Sequence, residues 1–451
     1  MPDPISAPKP TLRLIDAIVL IIGIVVGAGI FRTPSVVASN APSESWFLGV
    51  WIFGGVISLI GTLCYSELSS SFPNAGGDYH FLKLAFGKRF SFLFAWARIT
   101  ITQTGSIAIL SYIAGDYLTQ LLPLGAFSST YYALAIIILL SLFNILGIKF
   151  GTGIQKLLIS MQFIGILIIV IIGLTAEPLT SISVIETPSS YTVSPTASIS
   201  LAMIFVLLTF GGWNEAAYIS SELKRGSRKM TFVMVTSIVI ITIIYLLINI
   251  SFLRILGLEG IANSEAVGVD MMSATLGERG VVMIGLLVVL FALTSLNTTI
   301  FTGARSNYAL GKDFKTLSFL GKWNGNKSAP INSLLLQGVI AIILVLFGAF
   351  TRSGFESMVD FTAPVFWFFF LSTGISLFVL RKKHPDIERP FKVPFYPLTP
   401  ILFIVFCSYM LYSSLSYTGI GSLVSVAVLF TGWLFSQLFG GRKKFENNER
   451  M

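Results

Sequence analysis

Two stretches decide how this chain folds: LIDAIVLIIGIVVGAGIFRTP at residues 14–34 and LLTFGGWNE at 207–215. Each is an apolar run of helical character interrupted by closely spaced glycines, Gly27 and Gly29 in the first, Gly211 and Gly212 in the second. Glycine accepts non-helical dihedrals, so a helix opens there at little cost. Backbone groups freed at membrane depth are tolerated only where they line a protein cavity. The pattern predicts two broken helices five spans apart. Such a pair marks an inverted repeat, spans one to five against six to ten, with a ligand held near the bilayer midplane where the breaks meet.

The composition puts both runs in a membrane. The 451 residues are 54% hydrophobic and 11% charged, whereas an ordinary soluble domain carries roughly 25% charged residues. Apolar runs predict twelve spans, at about 14–38, 46–71, 90–120, 131–147, 153–174, 197–222, 232–254, 280–310, 332–350, 356–380, 396–417 and 420–439. The expected organisation is a tail (1–13), a first repeat (14–174), a loop (175–196), a second repeat (197–380), two extra helices within 381–439 and a tail (440–451). The N-terminus is polar and Pro-rich, without a charged n-region and cleavage site, so span one is expected to insert as an uncleaved anchor.

The formal charge of +9 raises the question of nucleic acid, and the position of the basic residues answers it. Most Lys and Arg fall in alternate loops, among them Lys83, Lys88 and Arg89, then Lys224, Arg225, Arg228 and Lys229, then Arg381, Lys382 and Lys383. The opposite loops 39–45, 121–130, 175–196 and 418–419 carry none. The positive-inside rule makes the basic side, and both termini, cytoplasmic in an inner or plasma membrane. Lipid headgroups are sufficient partners for these clusters, and nucleic acid is not needed.

Enzymatic readings fail on inventory. His80 and His384 are the only histidines, and both lie in predicted loops. Neither GxxxxGK[ST] nor GxGxxG occurs, so no nucleotide engine is encoded and no cofactor is expected. Cys64 and Cys407 fall inside apolar runs, which predicts no disulfide and no metal site.

The breaks also say what they can hold. The second half of a broken helix offers free N–H groups and a positive dipole end, the first half free carbonyls and a negative end. An α-amino acid zwitterion matches both. The N–H groups of Ala28, Gly29 and Ile30 are the expected carboxylate site, and carbonyls near Val25, Val26, Phe210 and Gly211 the expected ammonium site.

At this point the sequence resembles the amino acid-polyamine-organocation transporters, in particular the L-type amino acid transporter branch and its bacterial relatives. The resemblance runs nearly end to end, through GAGIF (27–31), LCYSELSSSFPNAGGDYHFL (63–82), QTGSIA (103–108), FGGWNEAAYISSEL (210–223) and RKKHPDIERPFKVP (381–394). It implies an all-α polytopic LeuT-type fold with alternating access, and amino acid as substrate. It aligns Val25, Gly27, Ala28, Gly29 and Ile30 with the first-span substrate motif, and Phe210, Gly211, Gly212, Trp213 and Asn214 with the sixth-span motif. Leu208 stands where a gating aromatic is common, and Ala28 where many relatives have Ser. Animal relatives join a heavy chain through a cysteine between spans three and four; residues 121–130 contain none, so no disulfide-linked heavy chain is expected.

Relatives commonly carry a lysine at the position aligned with Gln162, near Gly27 and a polar stretch of span eight that corresponds here to Ser295, Asn297 and Thr298. Glutamine takes up no proton near neutral pH, which favours exchange or facilitated diffusion over lysine-based proton coupling. Lys156 lies six residues earlier on another helix face, fits the cytoplasmic interface and is a poor substitute. Intramembrane charges need a partner or water. Glu67 is expected to be structural, and Arg98 and Glu222 to find internal partners. Glu215 either faces the cavity, favouring a cationic or polar side chain, or supports a helix N-terminus. The reading is a permease for neutral or small amino acids, working as a secondary active transporter or antiporter. A cationic amino acid or polyamine permease and a non-transporting amino acid sensor remain the alternatives.

Overall fold

A computed structural model describes residues 13–439, apart from 75, 147, 178–194, 224–228, 315–316, 325–326, 328, 351–353 and 418–419. Both predicted tails (all but Arg13), most of the 175–196 loop, the basic cluster at 224–228 and the side chains of Lys156 and Glu222 lie outside the described residues.

The helices in chain order are α1 (Leu14–Val25), α2 (Thr33–Ala38), α3 (Glu44–Ser71), α4 (Gly77–Phe86), α5 (Lys88–Ala97), α6 (Gln103–Leu121), α7 (Ser128–Leu146) and α8 (Ile148–Thr175). There follow α9 (Pro195–Thr209), α10 (Met230–Ala262), α11 (Val267–Leu276), α12 (Glu278–Asp313), α13 (Ile331–Ala349), α14 (Gly354–Lys383), α15 (Leu398–Tyr417) and α16 (Ile420–Phe439). Asn324 and Ala329 form an isolated antiparallel bridge.

Ten helical runs among the described residues are long and apolar enough to cross a membrane. The protein is an all-helical, multi-pass membrane protein. Of the two other predicted spans, the last is α16, continuous over 20 residues, and only the first is short as a continuous helix. α1 stops after 12 residues, about 18 Å at 1.5 Å per residue and short of a hydrocarbon core of about 30 Å. The connecting helices α4 and α11 were not foreseen, and neither was the π-helical turn Arg98–Thr102 that joins α5 to α6.

The packing joins the halves of the chain. α3 lies on α10, α6 on α12 and α7 on α13, while α15 and α16 pack against α14. Small residues permit the closest approach: a Cβ on Gly54 would lie 2.5 Å from Val206 of α9, and one on Gly55 2.6 Å from Thr242 of α10. Close backbone contact of this kind replaces the hydrophobic drive that lipid-immersed helices lack. The outer face is apolar, with Ile138 and Leu142 of α7 and Leu423 of α16 exposed, as expected for a surface whose solvent is lipid.

The two ends of the bundle are fastened differently. At the α11 end, Ser35 and Ser39 of the α2 segment donate to the carbonyls of Ser264 (2.7 Å) and Ala262 (3.0 Å). At the α4 end, buried Glu67 accepts from Arg381 Nε at 2.7 Å and Nη2 at 2.5 Å, and from the Val393 N–H at 2.7 Å, with Arg389 at 3.6 Å. Glu67 thereby ties the 381–394 segment to α3, a structural role, as expected.

Candidate functional site

The first break follows from the glycines. Val26 donates its N–H to Ile22 O at 2.8 Å, after which Gly27 is extended (φ −101°, ψ −168°) and the chain resumes as a 3-10 turn over Ala28–Phe31 before α2. A helix start leaves its first N–H groups without partners inside the helix. Those of Ala28, Gly29 and Ile30 sit at that start. Gly27 also lets Ser295 approach, since a Cβ there would lie 2.9 Å from Ser295 Oγ.

The second break is sharper. α9 ends at Thr209, the Gly211 N–H donates to Leu208 O at 2.9 Å, and Gly212 takes φ +103°, a left-handed conformation that favours glycine. A 3-10 helix then runs over Trp213–Glu222. α1 packs against this 3-10 segment and α2 against α9, so each half of one break faces the opposite half of the other.

Tyr245 and the Thr33–Thr209 pair tie the breaks together, and Gln162 braces the first. The Tyr245 hydroxyl of α10 lies 2.9 Å from Val25 O and 2.8 Å from Thr209 O, so its single proton serves the last turns of both interrupted helices. Thr209 donates its hydroxyl to Phe205 O at 2.9 Å and accepts from the Thr33 hydroxyl at 2.6 Å. Gln162 of α8 is buried and donates its amide to Val26 O, while its Oε1 has no partner among the described residues. Val26 O retains a second lone pair for a ligand, whereas Val25 O, which also accepts from the Gly27 N–H at 2.8 Å, has both of its own in use.

The other predicted residues divide. Ser295 stands against Gly27, but Asn297 accepts from Asn144 of α7 at 2.8 Å, and Thr298 donates along its own helix to Thr294 O at 3.0 Å. Phe210 is buried edge-on against Tyr245 at 4.9 Å. Trp213 stacks on Phe370 of α14 at 5.5 Å and meets Tyr65 of α3 edge-on at 5.0 Å, so its ring anchors the second break to two helices. Leu208 is half-buried.

Glu215 has a partner that the sequence did not indicate. Arg98, at the start of the π-helical turn, donates to both its carboxylate oxygens at 2.8 and 3.0 Å, and the guanidinium lies 4.6 Å from the Tyr218 ring centre. Beside them Asp78 of α4 is buried and accepts from Asn214 Nδ2 at 3.3 Å and from the Tyr218 and Thr373 hydroxyls at 3.5 Å. Burial pushes the Asp78 carboxyl up from 3.8 to about 6, against the lowering effects of Tyr65, Arg98 and Asn214.

Sequence reasoning missed Tyr245, Thr33, Thr209 and Asp78. A signal existed for Tyr245: a phenol deep in an apolar run must find a hydrogen-bond acceptor, and broken helices supply free carbonyls. For Asp78 the signal was an acidic residue between two glycines and a span start, which reads as a helix N-terminus.

A multi-pass helical bundle with two opposed helix breaks at its centre defines the architecture of a membrane transporter. Residues 12–436 match the family model described as "Amino acid permease". The chain is 30% identical to "b(0,+)-type amino acid transporter 1" of Rattus norvegicus over 96% of its length and 90% of the relative's. It is 26% identical to "Asc-type amino acid transporter 1" of Mus musculus, over 94% of its length and 80% of that protein's. It is 27% identical to "Large neutral amino acids transporter small subunit 2" of Mus musculus, with the same shares, 94% and 80%. The chain belongs to the amino acid permease family, whose members are transporters and not enzymes.

Proposed function

We propose that this permease exchanges neutral amino acids, with small side chains preferred, across a cell membrane by alternating access and without ATP. The observation that carries the reading is the pair of breaks facing each other and joined by Tyr245. The ligand's carboxylate meets the N–H groups of Ala28, Gly29 and Ile30, and its ammonium the carbonyls of Val26, Phe210 and Gly211, with Leu208 as a low-bulk gate; the Val25 carbonyl is already used by Tyr245 and the Gly27 N–H. This recognition uses backbone dipoles, so it needs no charged side chain and suits a zwitterion.

The architecture proposed is twelve spans, a five-and-five inverted repeat of LeuT type with spans one and six broken, and α15 and α16 outside it. The contacts of α3 with α10, α6 with α12 and α7 with α13, each an element on its counterpart, support the repeat. Loop charge supports cytoplasmic termini.

Neutral Gln162 favours exchange over proton coupling, and Ser295 is the span-eight group nearest to it in role, beside Gly27. The Arg98 partner of Glu215 favours neutral over cationic substrates, because the carboxylate is already compensated. The word "neutral" in one relative's name agrees. A heavy-chain partner joined by disulfide is not proposed, since 121–130 lacks cysteine. Uptake of labelled L-alanine into proteoliposomes, competed by a panel of neutral, cationic and acidic amino acids, tests the substrate class. Inhibition by neutral members alone is expected, and stronger inhibition by lysine would favour the cationic alternative.

A further inference from the structure

Between the second break and α4 lies a small, partly open cavity. Asp78, Arg98 and Asn214 line it, and the rings of Phe94, Phe369 and Phe370 form an apolar wall. The polar groups on it are incompletely used. Arg98 is buried and spends one terminal nitrogen on Glu215, but its Nε–H has no acceptor among the described residues. Asn214 is buried, donates to Asp78 and leaves its Oδ1 without a donor among the described residues. Asp78 is 3% exposed and receives only neutral donors, at 3.3 to 3.5 Å from Asn214, Tyr218 and Thr373, with the Tyr65 hydroxyl beside it. Among the described residues no ion pair to it within 4 Å is found; Arg98, bonded to Glu215, acts on it only from a longer distance.

An unused guanidinium N–H, an unused amide oxygen and a carboxylate without a cation are the complement of one ligand class. A lone ammonium would leave the Arg98 Nε–H idle, and a lone carboxylate would face the charge of Asp78. A zwitterion answers all three and brings no net charge into a low-dielectric space. We propose that this cavity is a second amino acid site on the α4 side of the break, with Arg98 Nε receiving the carboxylate, Asp78 and Asn214 Oδ1 the ammonium, and the phenylalanine wall an apolar side chain. It holds substrate on its way between the midplane site and the α4 end of the bundle. The π-helical turn that presents Arg98 is a distortion that recurs at functional sites. The inference rests on the permease reading above.

The test is the saturable binding of tritiated L-alanine to the full chain in lipid nanodiscs. Wild type is expected to bind two molecules per chain. Asp78→Asn, close in shape, and Thr102→Phe, which fills the cavity from the π-helical turn, are each expected to bind one, with the remaining affinity within about threefold. One molecule per wild-type chain together with normal proteoliposome uptake overturns the second site and leaves the permease reading standing. Two molecules retained by both variants overturns the assignment to this cavity. No binding and no uptake of any amino acid overturns both readings.

Discussion

Arg98 holds Glu215 with two hydrogen bonds, at 2.8 and 3.0 Å, across 117 residues of sequence. The pair belongs to the second half of one break and the first third of span three, and both side chains are largely buried. Two opposite charges so placed stabilise each other, whereas either alone is a buried unpaired charge. Breaking such a pair costs about 3–5 kcal/mol, while replacing both members by apolar groups is often neutral. Arg98→Met is therefore expected to lower stability by roughly that amount, and Arg98→Met with Glu215→Leu to recover most of it. Thermal unfolding of the single and double variants in detergent measures the difference; equal losses in both would refute the coupling.

Tyr245→Phe removes one hydroxyl and keeps the ring against Phe210 and Trp51. Its loss leaves the Thr209 carbonyl without this donor and Val25 O with the Gly27 N–H alone; at about 1 kcal/mol net, the KM for uptake is expected to rise about fivefold, with a small fall in melting temperature. An unchanged KM would remove Tyr245 from the site.

Gln162 puts a neutral amide on Val26 O. An imposed pH gradient is expected to leave wild-type uptake unchanged. Gln162→Lys brings a titratable ammonium to the same carbonyl, and its uptake is expected to become pH-dependent. Both are read as initial rates in proteoliposomes, and a wild-type rate that follows the gradient would require another proton carrier.

The Asp78 carboxyl is raised to about 6 in the folded protein from an ordinary 3.8, chiefly by burial. Tyr65, Tyr218, Arg98 and Glu215 are the titratable groups around it. The folded state thus binds the proton more tightly than the unfolded state. Its stabilising contribution is full below pH about 4 and is lost as pH rises through about 6. The melting temperature is expected to fall between pH 4.5 and 7, and Asp78→Asn to flatten that slope. A variant with the wild-type slope would assign the pH dependence elsewhere.

Much of the core was legible because glycine leaves a plain mark. Gly27 with Gly29, and Gly211 with Gly212, located both breaks, and long apolar runs located the helices around them. The remainder depends on partners far apart in sequence. Arg98 and Glu215 each looked like a charge in search of a partner, but nothing local says that a π-helical turn aims one at the other. Tyr245 sits in a 33-residue apolar helix, where a tyrosine reads as packing until the carbonyls of Val25 and Thr209 are seen beside it. Asn297 and Thr298 show the converse: polar residues in span eight share a sequence stretch with Ser295, yet helical periodicity turns them to α7 and to their own helix.

The central claim is that two broken helices bind an amino acid zwitterion and that the loaded carrier exchanges it. Its most direct test is the uptake of labelled L-alanine into proteoliposomes filled with unlabelled L-alanine or with buffer alone, without ATP or any ion gradient. The account predicts rapid uptake into amino acid-filled vesicles and little into buffer-filled ones. Equal uptake into both would contradict exchange, and no uptake of any amino acid into either would contradict the assignment of the site.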